Sequence, residues 1–337
     1  MSVTSETEQA MLRDAVRAFL AKGGETGWID FADRLGIGAA LLDAQQGAII
    51  AEEIGRARAP LPFAEVATTT WLLDRCGAPA PPATAIATLA WAEPGLRYDF
   101  AGIAATARRE GGGWRLDGAK SVVGWAAEAD TILVTARTGD DDLSFFRIDP
   151  AKAEGLSLSP YRMIDGHPAA DLSFENHALP ADALIGPEGG AIDLLDEARD
   201  RALALLAAEA VGLLDSLLEQ TVAYTGQRRQ FGQPIAGFQA LQHRMVDMYL
   251  ECELARSSAW LAVEALDQEA PGRGRAVSSA MVNIARACRF VGQQAIQLHG
   301  GMGMTDELPI GHYVKRAMAI EILWADADWH LARIAGL

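Results

Sequence analysis

An α+β fold, mostly α, is predicted by three observations on the sequence. Apolar residues recur at helical spacing at both ends of the chain, and short segments rich in Val, Ile, Thr and Trp fill its middle. Breaker-rich stretches separate the three textures, at Ala78–Thr84 and at Pro187, Gly189 and Gly190. The expected organisation is a helical N-terminal domain over 1–84, an antiparallel β domain over 85–187 and a C-terminal four-helix bundle over 188–337.

The first helix is expected over Ser5–Ala21, where Met11, Leu12, Ala15, Val16, Phe19 and Leu20 form one stripe and Ser5 with Glu8 can form a capping box. Further helices are expected at Ile29–Leu35, Ala39–Ala57 and Ala64–Arg75. Strands are expected at Ile86–Trp91, Ala104–Arg109, Trp114–Leu116, Thr131–Arg137, Leu143–Ile148 and Ala170–Phe174, with turns at Gly111–Gly113, Asp117-Gly118 and Gly139–Asp141. Long helices follow at Ala191–Gln227, Phe238–Asp267, Arg275–Leu298 and Ile310–Ala335, broken by turns at Gly232–Pro234, Pro271-Gly272 and His299–Gly303. Their broad apolar faces are those of a bundle that also packs against other subunits.

Composition narrows the function. The 337 residues are 50% hydrophobic and 22% charged, enough to bury a large core. A net charge of −16 leaves no basic field for nucleic acid or anionic lipid, so an anionic ligand needs a local basic pocket. No apolar run reaches the roughly 18 residues of a membrane span, and the acidic start lacks the features of a signal peptide, which points to the cytoplasm. Cys76, Cys252 and Cys288 have no disulfide or zinc spacing.

Two strings carry chemistry. Gln227-Arg228-Arg229-Gln230-Phe231-Gly232-Gln233-Pro234-Ile235, followed by Phe238-Gln239, closes one long helix and opens the next. It gathers guanidinium, amide and aromatic groups with free backbone amides at a turn, where a pyrophosphate fits. Alone, it reads first as a basic helix C-terminus complementing its dipole. The second string, Gln297-Leu298-His299-Gly300-Gly301-Met302-Gly303, ends a helix in a glycine loop open to close ligand approach. A lone glycine loop is a common helix end; both strings in one chain are far more specific.

With Glu8–Arg13, Glu52–Arg56, Ala92-Glu93-Pro94 and Trp114–Lys120, these strings identify the chain as resembling the acyl-CoA dehydrogenases along nearly its whole length. The resemblance implies a helical domain, a β domain and a four-helix bundle assembled as a tetramer, with FAD lying across a subunit interface. By the same resemblance Arg228, Gln230, Phe231, Gln239, Gln297, Gly300 and Gly301 are the cofactor residues, contacting the ADP half of an FAD whose flavin belongs to the neighbouring subunit. The family removes an α proton from an acyl-CoA and passes the β hydride to flavin, which an electron-transfer flavoprotein reoxidises.

The sequence departs from that pattern at the base. Counting from Gly301, the slot of the family's Glu-Gly-Thr glutamate holds Trp324-Ala325-Asp326, and the slot used by a minority of members holds Ala202. The flavin side changes too: the hydroxyl residue before Glu-Pro is Ala92, Leu96–Asp99 replaces Ala-Gly-Ser-Asp, and Val122-Val123-Gly124 replaces Trp-Ile-Thr. The chain is also short around Lys22–Thr26 and Cys76–Thr84. It is similar to the short non-catalytic subunits of heteromeric enzymes, such as pimeloyl-CoA dehydrogenase small subunits and actinobacterial steroid side-chain dehydrogenases. The expected assembly is an α2β2 heterotetramer in which a larger catalytic subunit holds flavin ring, acyl-CoA and base.

Two other readings stand beside it: a self-sufficient homotetramer using Asp326 as a displaced base, and a flavin-free assembly or regulatory partner. Asp326, Asp328 and His330 have a metal-like composition, but helical spacing puts Asp326 and Asp328 on different faces. Glu307 reads as a cap of the last helices, Glu209 as a paired or interface carboxylate, and His243 and His299 as packing and loop residues.

Overall fold

The computed structural model describes residues 6–22, 27–140, 142–268 and 272–336. The capping box at Ser5, the shortened stretch at Gly23–Thr26 and the turn residue Pro271 lie outside them. The chain divides into two compact units: Met1–Gly24, Ala44–Pro60 and Leu203–Leu337 form one, Glu25–Asp43 and Leu61–Ala202 the other.

The first unit is helical. It contains α1 (Glu6–Leu20), α3 (Ala44–Ala57), most of α5 (Ala191–Gln227), α6 (Gln239–Ala265), α7 (Gly272–His299), α8 (Ile310–Ile320) and α9 (Ala327–Ala335). Its tightest crossing is α3 on α5. A Cβ on Gly212 would lie 1.8 Å from the Glu52 carbonyl oxygen, and one on Gly55 would lie 1.9 Å from that of Glu209. Both obstacles are backbone, so only glycine permits the approach.

That crossing brings carboxylates inside. Glu52 and Glu53 on α3 are buried, and arginines from three elements meet them. Arg13 bonds Glu52 at 3.0 Å, Arg17 makes a two-pronged contact with Glu53 at 2.8 Å, and Arg256 bridges Glu52 at 3.0 Å to Asp215 at 2.6 Å. Arg56 adds bonds to Asp215 and, at 3.0 Å, to Glu219. Arg316 of α8 clasps Glu209 of α5 at 2.6 and 2.8 Å, which resolves that residue as a paired carboxylate. Planar guanidinium forks supply the paired donors that buried carboxylates need.

The second unit carries α2 (Trp28–Leu35), α4 (Phe63–Arg75) and an eight-stranded sheet ordered β6-β7-β3-β2-β4-β5-β8, with β1 beside β4. Its strands are β1 (Ala87–Ala90), β2 (Thr106–Glu110), β3 (Gly113–Gly124), β4 (Thr131–Arg137), β5 (Leu143–Ile148), β6 (Leu156–Arg162), β7 (Pro168–Leu179) and β8 (Leu184–Ile185). Pairing is mainly antiparallel, but β1 and β2 both meet β4 in parallel. Trp114, Leu116, Ile132, Val134, Phe146, Leu172 and Phe174 fill its core.

Several local expectations shift for physical reasons. Strand β3 runs on to Gly124, because Asp117-Gly118 is a β-bulge within the strand: Gly118 sits at φ 133° with Ala105 atoms 2.8 Å from its missing Cβ. Strand β6, not foreseen, carries Pro160, which an edge position tolerates. The helix expected from Ala39 begins at Ala44, after turns in which Leu41 and Asp43 bond to Ile37 and Ala39. The last helix is two, α8 and α9.

Gly212→Ala should lower stability by about 3 kcal/mol, the upper end for overpacking, since neither backbone can yield. A fall in urea midpoint at unchanged slope measures it.

Candidate cofactor site and the base position

The first string folds as a helix end, a hairpin and a helix start. The Arg228 amide closes α5 by donating to the Tyr224 carbonyl at 2.8 Å, and the Arg228 carbonyl accepts from Ile235 at 2.8 Å. Between them Arg229–Gln230 (β9) pairs with Gln233–Pro234 (β10). The two-residue loop has Phe231 at φ 50° and Gly232 at φ 83°, the left-handed pair that matches strand twist in a tight hairpin. Phe231 is 91% exposed and meets Phe238 edge-on at 6.1 Å. Phe238 then caps α6 in extended conformation, and Gln239 opens the helix. Arg228, Gln230 and Gln239 are all exposed.

The second string lies beside the first. His299, the last residue of α7, stacks on Tyr224 of α5 at 4.4 Å and 26°. Its Nδ1 meets the Ala295 carbonyl at 2.8 Å, so that nitrogen carries the proton. Burial pushes the His299 pKa down, which favours the neutral imidazole. The glycines divide their duties. Gly300 takes φ 61° to leave the helix, Gly303 has the Ile296 carbonyl 3.0 Å from its missing Cβ, and Gly301 has open space there. Gln297 and Gly301 are exposed.

Thus the ends of α5 and α7 and the start of α6 meet in one place. Two arginines, first-turn amides at the positive end of α6 and an open glycine backbone make a donor set suited to a pyrophosphate. His243 is exposed on the first turns of α6.

The positions at which the resemblance places a base present no free carboxylate. Trp324 lies between α8 and α9 at φ 65°. Asp326 is the N-cap of α9, its Oδ1 accepting from the Trp329 amide at 2.9 Å. Ala202 and Leu203 are buried in α5. Asp328 is exposed while His330 is buried against Ser278 at 3.1 Å, and no metal-binding group of three occurs among the described residues. Glu307 is exposed, and α8 starts at Ile310 with Pro309 as its N-cap and no side-chain cap.

In the sheet unit, sequence reasoning missed the scaffold around Ala92. Lys120 is fully buried and donates to Glu93 at 2.6 Å, Thr135 at 3.0 Å and the Trp91 carbonyl at 3.4 Å. Glu93 also accepts from the Ala104 and Ala105 amides at 2.7 and 3.0 Å, and Ser121 donates to the Ala92 carbonyl at 2.9 Å. Next to it Val122 stands in a left-handed conformation, φ 54°, that a β-branched residue rarely adopts. Asp171 holds it there, accepting from the Val122 amide at 3.0 Å and the Tyr161 hydroxyl at 2.9 Å. A lysine inside an apolar strand was the available signal, since it requires a carboxylate.

Two family models cover most of the chain. The acyl-CoA dehydrogenase middle domain matches residues 88–177 and the acyl-CoA dehydrogenase C-terminal domain residues 196–335. The chain belongs to the acyl-CoA dehydrogenase family.

Among curated relatives, mitochondrial short-chain specific acyl-CoA dehydrogenase from Bos taurus is 30% identical over 74% of this chain and 62% of its own length. The Homo sapiens protein is 31% identical with the same coverage. The chain therefore spans less than two thirds of the length of these relatives. Among solved structures, the Tcur3481-Tcur3483 steroid acyl-CoA dehydrogenase has a TM-score of 0.84 and 27% identity, over 98% of this chain and 97% of that one. A glutaryl-coenzyme A dehydrogenase in complex with glutaryl-CoA has the same fold, at TM-score 0.86 and 23% identity over 99% and 96%. So does the ChsE4-ChsE5 complex from Mycobacterium tuberculosis, at 0.82 and 20% over 100% and 98%. No helix among the described residues is long and apolar enough to cross a membrane.

Burial lowers the Lys120 pKa to about 8 from 10.5, outweighing the pull of Glu93. Below pH 8 both folded and unfolded chains are protonated and the burial cost is fully present; between about 8 and 10.5 only the unfolded chain holds the proton, so stability rises with pH. Lys120→Met should abolish that rise, read as urea midpoints from pH 7.5 to 10.5.

Proposed function

We propose that this chain is the non-catalytic subunit of an FAD-dependent acyl-CoA dehydrogenase. It lends ADP-side contacts to a larger partner that holds the flavin ring, the acyl-CoA and the base, in an α2β2 assembly. The observation that carries this reading is an asymmetry. The donor set of Arg228, Gln230, Phe231, Gln239, Gln297, Gly300 and Gly301 is exposed and assembled, whereas the base slot is Trp324 and Asp326 is engaged as a helix cap.

The group fits the site. The exposed Arg228 guanidinium can hold a phosphate in two-pronged fashion, the first turn of α6 offers amides and dipole, and Gly300 and Gly301 admit close backbone approach. Phe231, projecting from the hairpin, offers a ring face for a purine. Bound FAD supplies the two-electron acceptor for α,β-dehydrogenation of an acyl-CoA, and an electron-transfer flavoprotein is its expected oxidant, in the cytoplasm. Ala92 and Val122 contribute apolar surface where the family places hydrogen-bonding side chains. The likeness to the steroid enzyme supports a bulky CoA thioester as substrate of the assembly.

The test is flavin content per subunit and acyl-CoA-dependent dye reduction, for the chain alone and co-expressed with a larger acyl-CoA dehydrogenase subunit encoded beside it. The expected result is colourless, inactive chain alone and one FAD per pair in the active complex. Arg228→Gln in the complex should reduce FAD occupancy at least tenfold at limiting FAD while leaving the complex assembled, and Trp324→Glu in the chain alone should create no activity. Yellow, active chain alone would return the base to this subunit. A complex without flavin would make the chain an assembly partner.

A further inference from the structure

Tyr224 reaches both ligand strings from one position on α5. Its carbonyl accepts from the Arg228 amide at 2.8 Å, where the first string leaves the helix. Its ring stacks on His299 at 4.4 Å and 26°, and its hydroxyl donates to the His299 carbonyl at 3.4 Å. That carbonyl belongs to the peptide joining His299 to Gly300. The peptide is planar, so holding its carbonyl sets the course on which the glycine backbone leaves α7.

His299 is anchored in turn. It is buried, and its Nδ1 donates to the Ala295 carbonyl at 2.8 Å. The loop folds back until the His299 Cβ lies 3.2 Å from the missing Cβ of Gly303. The His299 side chain therefore links Tyr224 to the returning loop. Arg228, Gln297 and Gly301 are exposed for a ligand, whereas His299 is buried and Tyr224 half-buried. The pair is thus placed to support the donors without being among them.

We infer that Tyr224 and His299 are positioning residues that set the spacing between the Arg228 end of α5 and the Gly300–Gly301 backbone, and that this spacing selects a diphosphate over a single phosphate. The reason is geometric. Donors on two helices hold one anion jointly only when their separation matches it, and a shift of about 1 Å forfeits a contact. A diphosphate long enough to engage both helix ends loses one of its two holds when the spacing fails. A single phosphate, held at one end, loses little. The inference rests on the proposed use of this donor set for the ADP end of FAD and adds what makes the set selective.

The probes are ADP and AMP, titrated calorimetrically into the full chain alone, so no partner is needed. Wild type should prefer ADP to AMP by about tenfold or more. Tyr224→Leu removes ring and hydroxyl; it should weaken ADP about tenfold and AMP by less than about twofold. Tyr224→Phe keeps the stack and should stay within about threefold of wild type for both, since it gives up a single long hydrogen bond. His299→Leu removes the other ring and repeats the test should Tyr224→Leu lower the urea midpoint. Arg228→Gln should weaken ADP about tenfold in wild type but only about threefold on Tyr224→Leu, because residues that act through one another are not additive. Equal losses for ADP and AMP, or additive effects, overturn the inference while leaving the cofactor reading in place. Absent ADP binding, or binding that Arg228→Gln leaves unchanged, removes the donor set itself and takes both readings with it, so the two failures are told apart.

Discussion

The helical unit depends on the backbone contact between α3 and α5. Gly55 and Gly212 let the two helices approach until carbonyl oxygens occupy the space of side chains. The closeness has an electrostatic consequence. Glu52, Glu53 and Glu209 ride on the crossing turns and are carried inside with it. Each must be met by a guanidinium, because an unpaired buried carboxylate costs several kcal/mol, on the order of the whole stability of a domain. Arg13 and Arg17 of α1, Arg256 of α6 and Arg316 of α8 supply them. The ion network is thus a requirement of the close crossing more than an independent source of stability, and it fixes which helices neighbour which. With α5, α6 and α7 so placed, their ends converge and the Tyr224–His299 stack ties two distant strings together.

What the sequence revealed follows from the range of the forces involved. Long helices and turn-flanked strands depend on local periodicity, and Ala191–Gln227 and Thr131–Arg137 were read to the residue. The two ligand strings were legible because each is a local pattern at a helix end. What stayed hidden depends on partners far along the chain. Nothing local to Lys120 says that Glu93 and Thr135 surround it, and nothing local to Val122 says that Asp171 will hold it in a left-handed bulge. The Asp117-Gly118 pair carried a true signal, positive φ, but tertiary pairing turned it into a bulge where local chemistry indicates a turn. Strand β6 escaped because Pro160 is a breaker by composition, while an edge strand needs ladder bonds on one side only.

The sheet unit holds a buried polar scaffold beneath apolar surface side chains. The Lys120–Glu93 pair and the Ser121–Ala92 bond hold the Ala92 segment against β3. Side chains at the surface of this frame, Ala92 and Val122, are apolar. Frame and contents answer to different constraints. Removing Lys120 or Glu93 leaves an uncompensated buried charge, so the frame is tied to stability, whereas a surface hydroxyl can be lost at little cost to the fold. Loss of chemistry without loss of structure is what such a separation permits.

The same separation accounts for the end of the chain. The turn between α8 and α9 is specified by a left-handed residue at Trp324 and a capping carboxylate at Asp326. A left-handed conformation costs a side-chain-bearing residue on the order of 1–2 kcal/mol, and the cap returns about 1. Asp326 therefore has structural work that a catalytic base could share only by giving up the Trp329 amide. Breaking that cap to free the carboxylate would weaken α9 as the reaction began, and a base whose release loosens its own support is poorly preorganised for proton abstraction. The turn thus favours reading Asp326 as the device that starts α9, in keeping with the proposal that the base comes from a partner chain.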